Sequence, residues 1–287
     1  MRNDILQLVG EALGTAAANA RPLSGGCIGE VYRVELEDGD GVVAKVDRSA
    51  APRLDIEGYM LQYLAQHSEL PVPAVRHTTP SLLIMDFAGG DSRFSNAAQA
   101  DAAEHLAALH AISPKDNRHG LERDTLIGSL PQPNGKRDTW MDFFRDQRLL
   151  HMADAALREG RMDRAFHKRL NQFADRLDEF IEEPDHPSLL HGDVWTTNVL
   201  AHNGKITAFL DPAVYYGHPE IELAFATLFG TFGTPFFDRY AEVGTLRPGF
   251  FELRRDLYNI YPLLVHTRIF GSSYLSGIDA TLRKLGF

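Results

Sequence analysis

The chain has a single cysteine, Cys27, among 287 residues. An intramolecular disulfide is therefore excluded, and so is a metal site built on paired thiolates. Positive charge is also scarce: 29 Lys and Arg against 39 Asp and Glu give a formal net charge of −10. No basic cluster forms the footprint that nucleic acid requires, and an acidic surface is repelled by anionic lipid. No stretch approaches the roughly 18 apolar residues of a membrane helix. The first residues, MRNDILQLVGEALG, carry charge where a secretory signal needs an apolar run, so they read as a short amphipathic helix. The expected location is the cytoplasm, with neither nucleic acid nor membrane as partner. The 12 histidines are scattered. The pairs His105/His110 and His186/His191 lack an i,i+4 spacing with a carboxylate partner, so no zinc site is expected. Internal repeats and low-complexity tracts are absent.

What is present suffices for a large core. The chain is 44% hydrophobic, enough for one large domain or two lobes. Val31 to Asp47 alternates around EDGDG, a hairpin pattern with Asp-Gly at the turn. The stretch DIEGYMLQYLAQHS follows at helical spacing, with Ile56, Met60, Leu61 and Leu64 on one face. PVPAVRHTTPSLLIMDF then predicts two more strands around Pro80. Residues 1–87 therefore read as a small mixed β lobe, and FAGGD (Phe87 to Asp91) as a joint. Residues 88–287 read as a larger helical lobe. NAAQADAAEHLAALHAI is Ala-rich and helical. WMDFFRDQRLLHMADAALREG and DRAFHKRLNQFADRLDEFIEE are amphipathic, with expected stops at Gly160 and Pro184. Two short strands are expected near Val199–Leu200 and Ile206–Leu210, joined at Asn-Gly, and helix again from about Glu220.

Within the second lobe, LLHGDVWTTNVL (Leu189 to Leu200) holds a polar loop between apolar anchors. Rigidly held loops are where chemistry concentrates. Asp193 offers a proton acceptor, and Asn198 a neutral oxygen ligand five residues later. Asp211 ends the apolar run ITAFL, where a strand-end carboxylate projects into a cleft. Asn198 and Asp211 together suit one magnesium ion, which takes few protein oxygens and fills its shell from phosphates and water. Asp193 is then free to accept a proton from a substrate hydroxyl. Turn capping by Asp and Asn is the competing structural reading.

The first lobe supplies a second group of residues. LSGGCIGEVYRV is Gly-rich just before a strand, and Gly25, Gly26 and Gly29 would let backbone N–H groups approach phosphate oxygens. It is not a Walker A loop, because no Gly-Lys-Ser/Thr follows. Lys45 interrupts the apolar run VVAKVD at a reach suited to nucleotide phosphates. The alternative is a lysine facing water. Glu57 in the next helix is the partner that a partly buried Lys45 needs to stay charged.

The layout of Gly-rich loop, strand lysine, helix glutamate, Asp-x4-Asn loop and strand-end Asp resembles a protein-kinase-like phosphotransferase. HGD in place of His-Arg-Asp is similar to the aminoglycoside and choline kinase branch. HGDVWTTN, DPAVYYGHPEIELAFATLFG and GGCIGEVYRV together resemble the fructosamine kinase (ketosamine 3-kinase) family over nearly the whole chain. The resemblance implies an α+β, two-lobe fold and transfer of the γ-phosphoryl of ATP, with Mg2+, to the 3-hydroxyl of a ketoamine, free or protein-bound. Such phosphorylation destabilises the ketoamine and frees the amine, a deglycation repair. It implies Asp193 as catalytic base, Asn198 and Asp211 as magnesium ligands, and Lys45 on the phosphates with Glu57 holding it. It also implies that the backbone at Asp86 and Phe87 meets adenine. Relatives commonly have Asp-Leu-Ala, with the Asp bracing the catalytic loop, where this chain has Glu222 in ELA.

On the substrate side, two roles stay open for Trp195: stacking on the sugar, or packing beneath the loop. Tyr215, Tyr216 and His218 follow Asp211 where the chain passes the cleft, and Tyr216 and His218 are the substrate candidates. Trp140 and the aromatics of TFGTPFF read as core. Two other functions remain: a kinase of the same fold acting on an aminoglycoside, choline or another alcohol, and a non-catalytic nucleotide binder. Trp195 and DPAVYYGH oppose the first; the intact Lys45, Asp193, Asn198 and Asp211 oppose the second. The expected state is a monomer or weak homodimer. Cys27, between Gly26 and Ile28, is either a small buried hydrophobe or a redox-sensitive thiol in the phosphate loop.

Overall fold

The computed structural model describes residues 2–23 and 29–287. Helix α1 (Arg2–Leu13) precedes strands β1 (Ala17–Pro22), β2 (Glu30–Leu36) and β3 (Gly41–Val46). Helix α2 (Leu54–His67) follows, then β4 (Val75–Thr78) and β5 (Leu82–Asp86). The strands form one five-stranded sheet in the order β1-β2-β3-β5-β4, antiparallel throughout. Alternation along the strands decides what each face buries. Val42, Ala44 and Val46 of β3 and Leu82 and Ile84 of β5 pack with Ile5 and Val9 of α1. Leu83 and Met85 turn the other way, onto Leu54 and Leu61 of α2, with Val43 alongside. Lys45 has the parity of Val43, so it leaves β3 on the α2 side. That register, not local propensity, brings it to Glu57.

The expected hairpin and the two strands around Pro80 are present. Strand β1 is not among the expected elements. Its sequence, AANARP, has little β propensity, and it forms as an edge strand paired to β2 alone.

The remainder is mostly helical. Helix α3 (Asn96–His110) is followed by β6 (Thr125–Ile127) and β7 (Leu130–Gln132). Helix α4 (Trp140–Phe143) runs through a π-helical stretch, Phe144–Leu150, into α5 (His151–Arg158), and then comes α6 (Arg164–Ala174). Four short strands follow: β8 (Ser188–Leu190), β9 (Val199–His202), β10 (Lys205–Phe209) and β11 (Tyr215–Gly217). The last helices are α7 (Pro219–Phe225), α8 (Thr234–Val243), α9 (Arg255–Tyr258), α10 (Ile260–Phe270) and α11 (Leu275–Lys284). Trp140, Phe143, Phe144, Phe173, Phe236, Tyr258 and Tyr261 are fully buried in their core. Trp140 and the aromatics Phe232, Phe236 and Phe237 are thus core, as expected.

One expected boundary is corrected. Helix α6 stops at Ala174 instead of continuing to Pro184. A short 3-10 turn, Leu177–Glu179, re-aims the chain so that Leu177 and Ile181 enter the core. The β6–β7 hairpin and the β8–β11 pair were also not expected. Each strand in them has three residues, too few for alternation to be read.

Candidate active site

The polar loop 191–198 is held at both ends by fully buried residues: Leu189 and Leu190 of β8, Val194 within it, and Val199 of β9. Gly192 has φ +87, and a Cβ there would sit 2.1 Å from the Ala213 carbonyl oxygen. Only glycine allows that approach, which is sealed by the Ala213 N–H donating to the His191 carbonyl at 2.7 Å. Glu222, on α7, lies beneath the loop. Its carboxylate accepts from the backbone N–H of Gly192 and, at 3.4 Å, from that of His191. His110 Nε2 donates to the same carboxylate at 2.8 Å, and the Tyr240 hydroxyl lies 2.8 Å from His110 Nδ1. Burial raises the pKa of Glu222, but the hydrogen bond from His110 and the nearby donors outweigh it, and the net shift is downward. The extra methylene of Glu relative to Asp thus still delivers a carboxylate to the loop.

Asp193 and Asn198 are both buried. The Asn198 side-chain amide donates to the Asp193 carboxylate at 2.9 Å and to the Asp193 carbonyl at 3.0 Å. Both amide hydrogens are thereby committed, which leaves Asn198 Oδ1 as a ligand oxygen. The Asn198 carbonyl accepts from the Leu210 N–H at 2.8 Å, so the β9–β10 hairpin places Asp211 beside Asn198. Asp211 has φ +50, a left-handed conformation sparsely used outside glycine and often found where a side chain must be aimed. Burial, and secondarily the charge of Asp211, push the Asp193 pKa up to about 8, against the Asn198 and Trp195 hydrogen bonds that lower it.

Lys45 joins the two halves. Its Nζ lies 2.7 Å from Glu57 Oε1 and also pairs with Asp211. Burial alone lowers the lysine pKa, but the two carboxylates outweigh it and hold Lys45 charged. Glu57 is raised by burial, which Lys45 opposes. Asp211 is likewise raised by burial but ends below its usual range, because Lys45 dominates.

The other expected site residues are distributed as follows. Gly29 has φ +72, and a Cβ there would meet the Val46 carbonyl oxygen at 2.4 Å, so the end of the Gly-rich loop lies directly on β3. Gly25, Gly26 and Cys27 lie outside the described residues. The Asp86 N–H donates to the Ala74 carbonyl at 2.9 Å and the Phe87 N–H to the Gly41 carbonyl at 3.2 Å. An adenine held at this stretch therefore meets other backbone atoms than these two amides. Trp195 is half-buried, edge-on to Phe229 and His266 at 5.6 and 5.9 Å. Tyr216 is buried and accepts from the Tyr63 hydroxyl of α2 at 3.3 Å.

His218 is buried at the start of α7. Its Nδ1 accepts the Glu220 N–H at 3.1 Å, capping α7, and its ring packs on Trp140 and Tyr258. It lines a cavity of about 260 Å³ with Pro184, Asp185 and Tyr240, to which Asp193 does not contribute. His110, weighed in the sequence only as a metal ligand, and Phe229, near the end of DPAVYYGHPEIELAFATLFG, were not expected at the site. Their placement comes from contacts between distant elements.

Among the described residues, no group of three or more His, Cys, Asp and Glu could hold a metal ion. A self-sufficient protein cage is thus not formed by them. The pair Asn198 Oδ1 and Asp211 fits a hard cation that completes its shell with phosphates and water. Among the described residues, no helix is long and apolar enough to cross a membrane.

The fructosamine kinase family model matches residues 1–286. A chloroplastic protein-ribulosamine 3-kinase of Arabidopsis thaliana is 31% identical over 288 residues, 96% of this chain and 86% of that protein. A ketoamine kinase candidate of Vibrio parahaemolyticus is 30% identical over 272 residues, 92% of this chain and 91% of its own length. A crystal structure of a fructosamine-3-kinase candidate from Thermobifida fusca superposes with a TM-score of 0.87 at 30% identity, covering 98% of each chain. An aminoglycoside phosphotransferase structure superposes with a TM-score of 0.69 at 21% identity, covering 99% of each chain, a likeness of fold alone.

Proposed function

The chain belongs to the fructosamine kinase family of phosphotransferases, and from that premise we propose that it transfers the γ-phosphoryl of ATP to the 3-hydroxyl of a ketoamine. The observation that carries this reading is the convergence of Lys45, Glu57 and Asp211 in one buried ion cluster, beside the Asp193–Asn198 pair. Phosphoryl transfer asks the protein mainly to position groups and offset charge. Asp193 aligns the attacking hydroxyl and accepts its proton. Asn198 fixes the rotamer of Asp193 through its amide. Lys45, kept cationic by Glu57, supplies positive charge to the nucleotide's phosphates. Asn198 Oδ1 and Asp211 would hold a magnesium ion, whose positive charge would offset that of the nucleotide's phosphates. With the charge of Asp211 offset, Asp193 would lose the repulsion that helps raise it and would favour its ionised form. Gly25, Gly26 and Gly29 approach the phosphates, and the strand end at Asp86 and Phe87 marks both the adenine side and the boundary between lobes. The reading includes a cytoplasmic deglycation role and a monomer or weak homodimer.

The test is phosphate transfer from ATP to ribulosyl-lysine and fructosyl-lysine, with choline and an aminoglycoside alongside. Turnover of either ketoamine, dependent on Mg2+, is expected. Transfer only to choline or the aminoglycoside, or to none of the four, would overturn the reading.

A further inference from the structure

The catalytic loop continues outward into an exposed aromatic surface that the chemistry above does not use. Trp195 is two residues from Asp193, on the same loop. The Trp195 ring meets Phe229 edge-on at 5.6 Å. Phe229 stands 4.9 Å from His266, and His266 stands 5.5 Å from Phe270 and 5.2 Å from Tyr274. Phe229 and Phe270 are 48% and 54% exposed, the two most exposed large apolar side chains described. Two bulky rings left half in water, one against Trp195 and the other reached from it through His266, are not explained by packing alone.

Phe229 is also held in place at a cost. Its backbone is left-handed, φ 57 and ψ 18. A bulky residue there is an outlier that persists only when its surroundings impose it. The surroundings are bonded to the catalytic loop. Thr231 Oγ1 accepts the Thr196 N–H at 2.9 Å, lies 2.9 Å from Thr196 Oγ1, and donates to the Leu228 carbonyl at 3.0 Å. On the far side the Gly233 N–H donates to Gln99 at 2.8 Å. The fold therefore fixes an exposed phenyl ring against Trp195, on the loop that carries Asp193.

We propose that Phe229 and Phe270, continuing from Trp195, form a specificity surface for the amine-bearing arm of the ketoamine, and that the arm it fits is the aliphatic stem of a lysine side chain. The proposal rests on the ketoamine kinase reading. A ketoamine nitrogen is a cationic secondary amine, and aromatic faces attract such a cation within about 6 Å. Beyond that nitrogen, a lysine stem is a run of methylenes, which gains by covering exposed rings. An amine with no stem keeps the attraction of its nitrogen but gains nothing from methylene burial.

The experiment measures kcat and KM for two ketoamines of one sugar, one on the Nε of Nα-acetyl-lysine and one on methylamine. The enzymes are wild type, Phe229→Asn and Phe270→Ala. Asn suits the left-handed backbone, so Phe229→Asn removes the ring without adding strain. A thermal melt and the KM for ATP check that each variant is folded. Each substitution is expected to lower the ratio of kcat/KM, lysine ketoamine over methylamine ketoamine, by roughly tenfold, mainly through KM. Wild-type turnover of the lysine ketoamine with ratios within twofold in both variants would overturn the specificity surface and leave the kinase reading standing. So would a loss of dimer in both variants at constant ratio, which assigns the surface to a second copy. Failure of wild type on both ketoamines would overturn the kinase reading and this proposal with it.

Discussion

The Asn198 side-chain amide donates to the Asp193 carboxylate at 2.9 Å. One residue thus orients the proposed base and turns its own oxygen toward the proposed metal position. Asp193→Asn is expected to lower kcat by about 10²–10⁴, with ATP binding and melting temperature close to wild type. Near-normal kcat in that variant would remove Asp193 from the chemistry.

Asp211→Ala tests the cation. Asp211 is the carboxylate that the β9–β10 hairpin brings beside Asn198. The variant is expected to lose magnesium-supported turnover, and excess magnesium should not restore it. Full activity at ordinary magnesium would place the ion elsewhere.

The Lys45–Glu57 pair predicts an effect on stability separate from catalysis. Lys45 and Glu57 side chains are 8% and 11% exposed, and Asp211 shares the same Nζ. Removing one partner of a buried pair leaves an uncompensated charge, which costs about 3 kcal/mol or more. Lys45→Ala should therefore lower the urea midpoint of the nucleotide-free protein. Adding Glu57→Gln should return part of that loss. An unchanged midpoint for the single variant would mean the pair is solvated.

Glu222 is predicted to act on rate through the loop. Glu222→Ala removes the acceptor for the Gly192 and His191 amides and for His110. We expect kcat to fall at least about tenfold, since small misplacements of a reacting group are costly, while KM for ATP stays near wild type. Glu222→Gln, which keeps an acceptor oxygen for Gly192, should retain more activity than Glu222→Ala. Equal activity in the two would argue against the brace.

Stability should fall on acidification below pH 6.5 for a traceable reason. Burial lowers the His119 pKa to about 4, although Glu183 Oε2 lies 3.9 Å from its Nε2. The His218 pKa is also lowered by burial, aided by Arg247 and Arg254. With folded pKa values below the unfolded value, the unfolded chain binds more protons between about pH 4 and 6.5. Stability therefore rises with pH through that window and levels off above it. Each such histidine costs at most about 1.4 kcal/mol per pH unit. His119→Phe, which keeps an aromatic ring against Trp140 and Phe143, should flatten the profile. An unchanged slope would show that His119 protonates freely in the fold.

Local chemistry makes several features legible in the sequence alone. Period-two runs and Asp-Gly gave away the β2–β3 hairpin, and the polar loop between Leu189 and Leu200 showed where to look for chemistry. Asp193, Asn198 and Asp211 stand out as candidates because they flank one hairpin, β9–β10, within a short stretch of chain. That part of the site depends on short-range spacing. The edge strand β1 and the three-residue strands of β6–β7 and β8–β11 were not legible, because pairing partners rather than their own residues create them. His218 follows a readable motif, yet its role as helix cap is set by its burial between Trp140 and Tyr258. His110 is 112 residues from Glu222, and Phe229 belongs to the surroundings of the polar loop 191–198 through Thr231. The sequence alone determined which residue types were available and which face of each strand or helix they occupy. Only the tertiary structure decided which of them meet, because burial, ion pairing and close backbone approach act between segments that spacing along the chain does not relate.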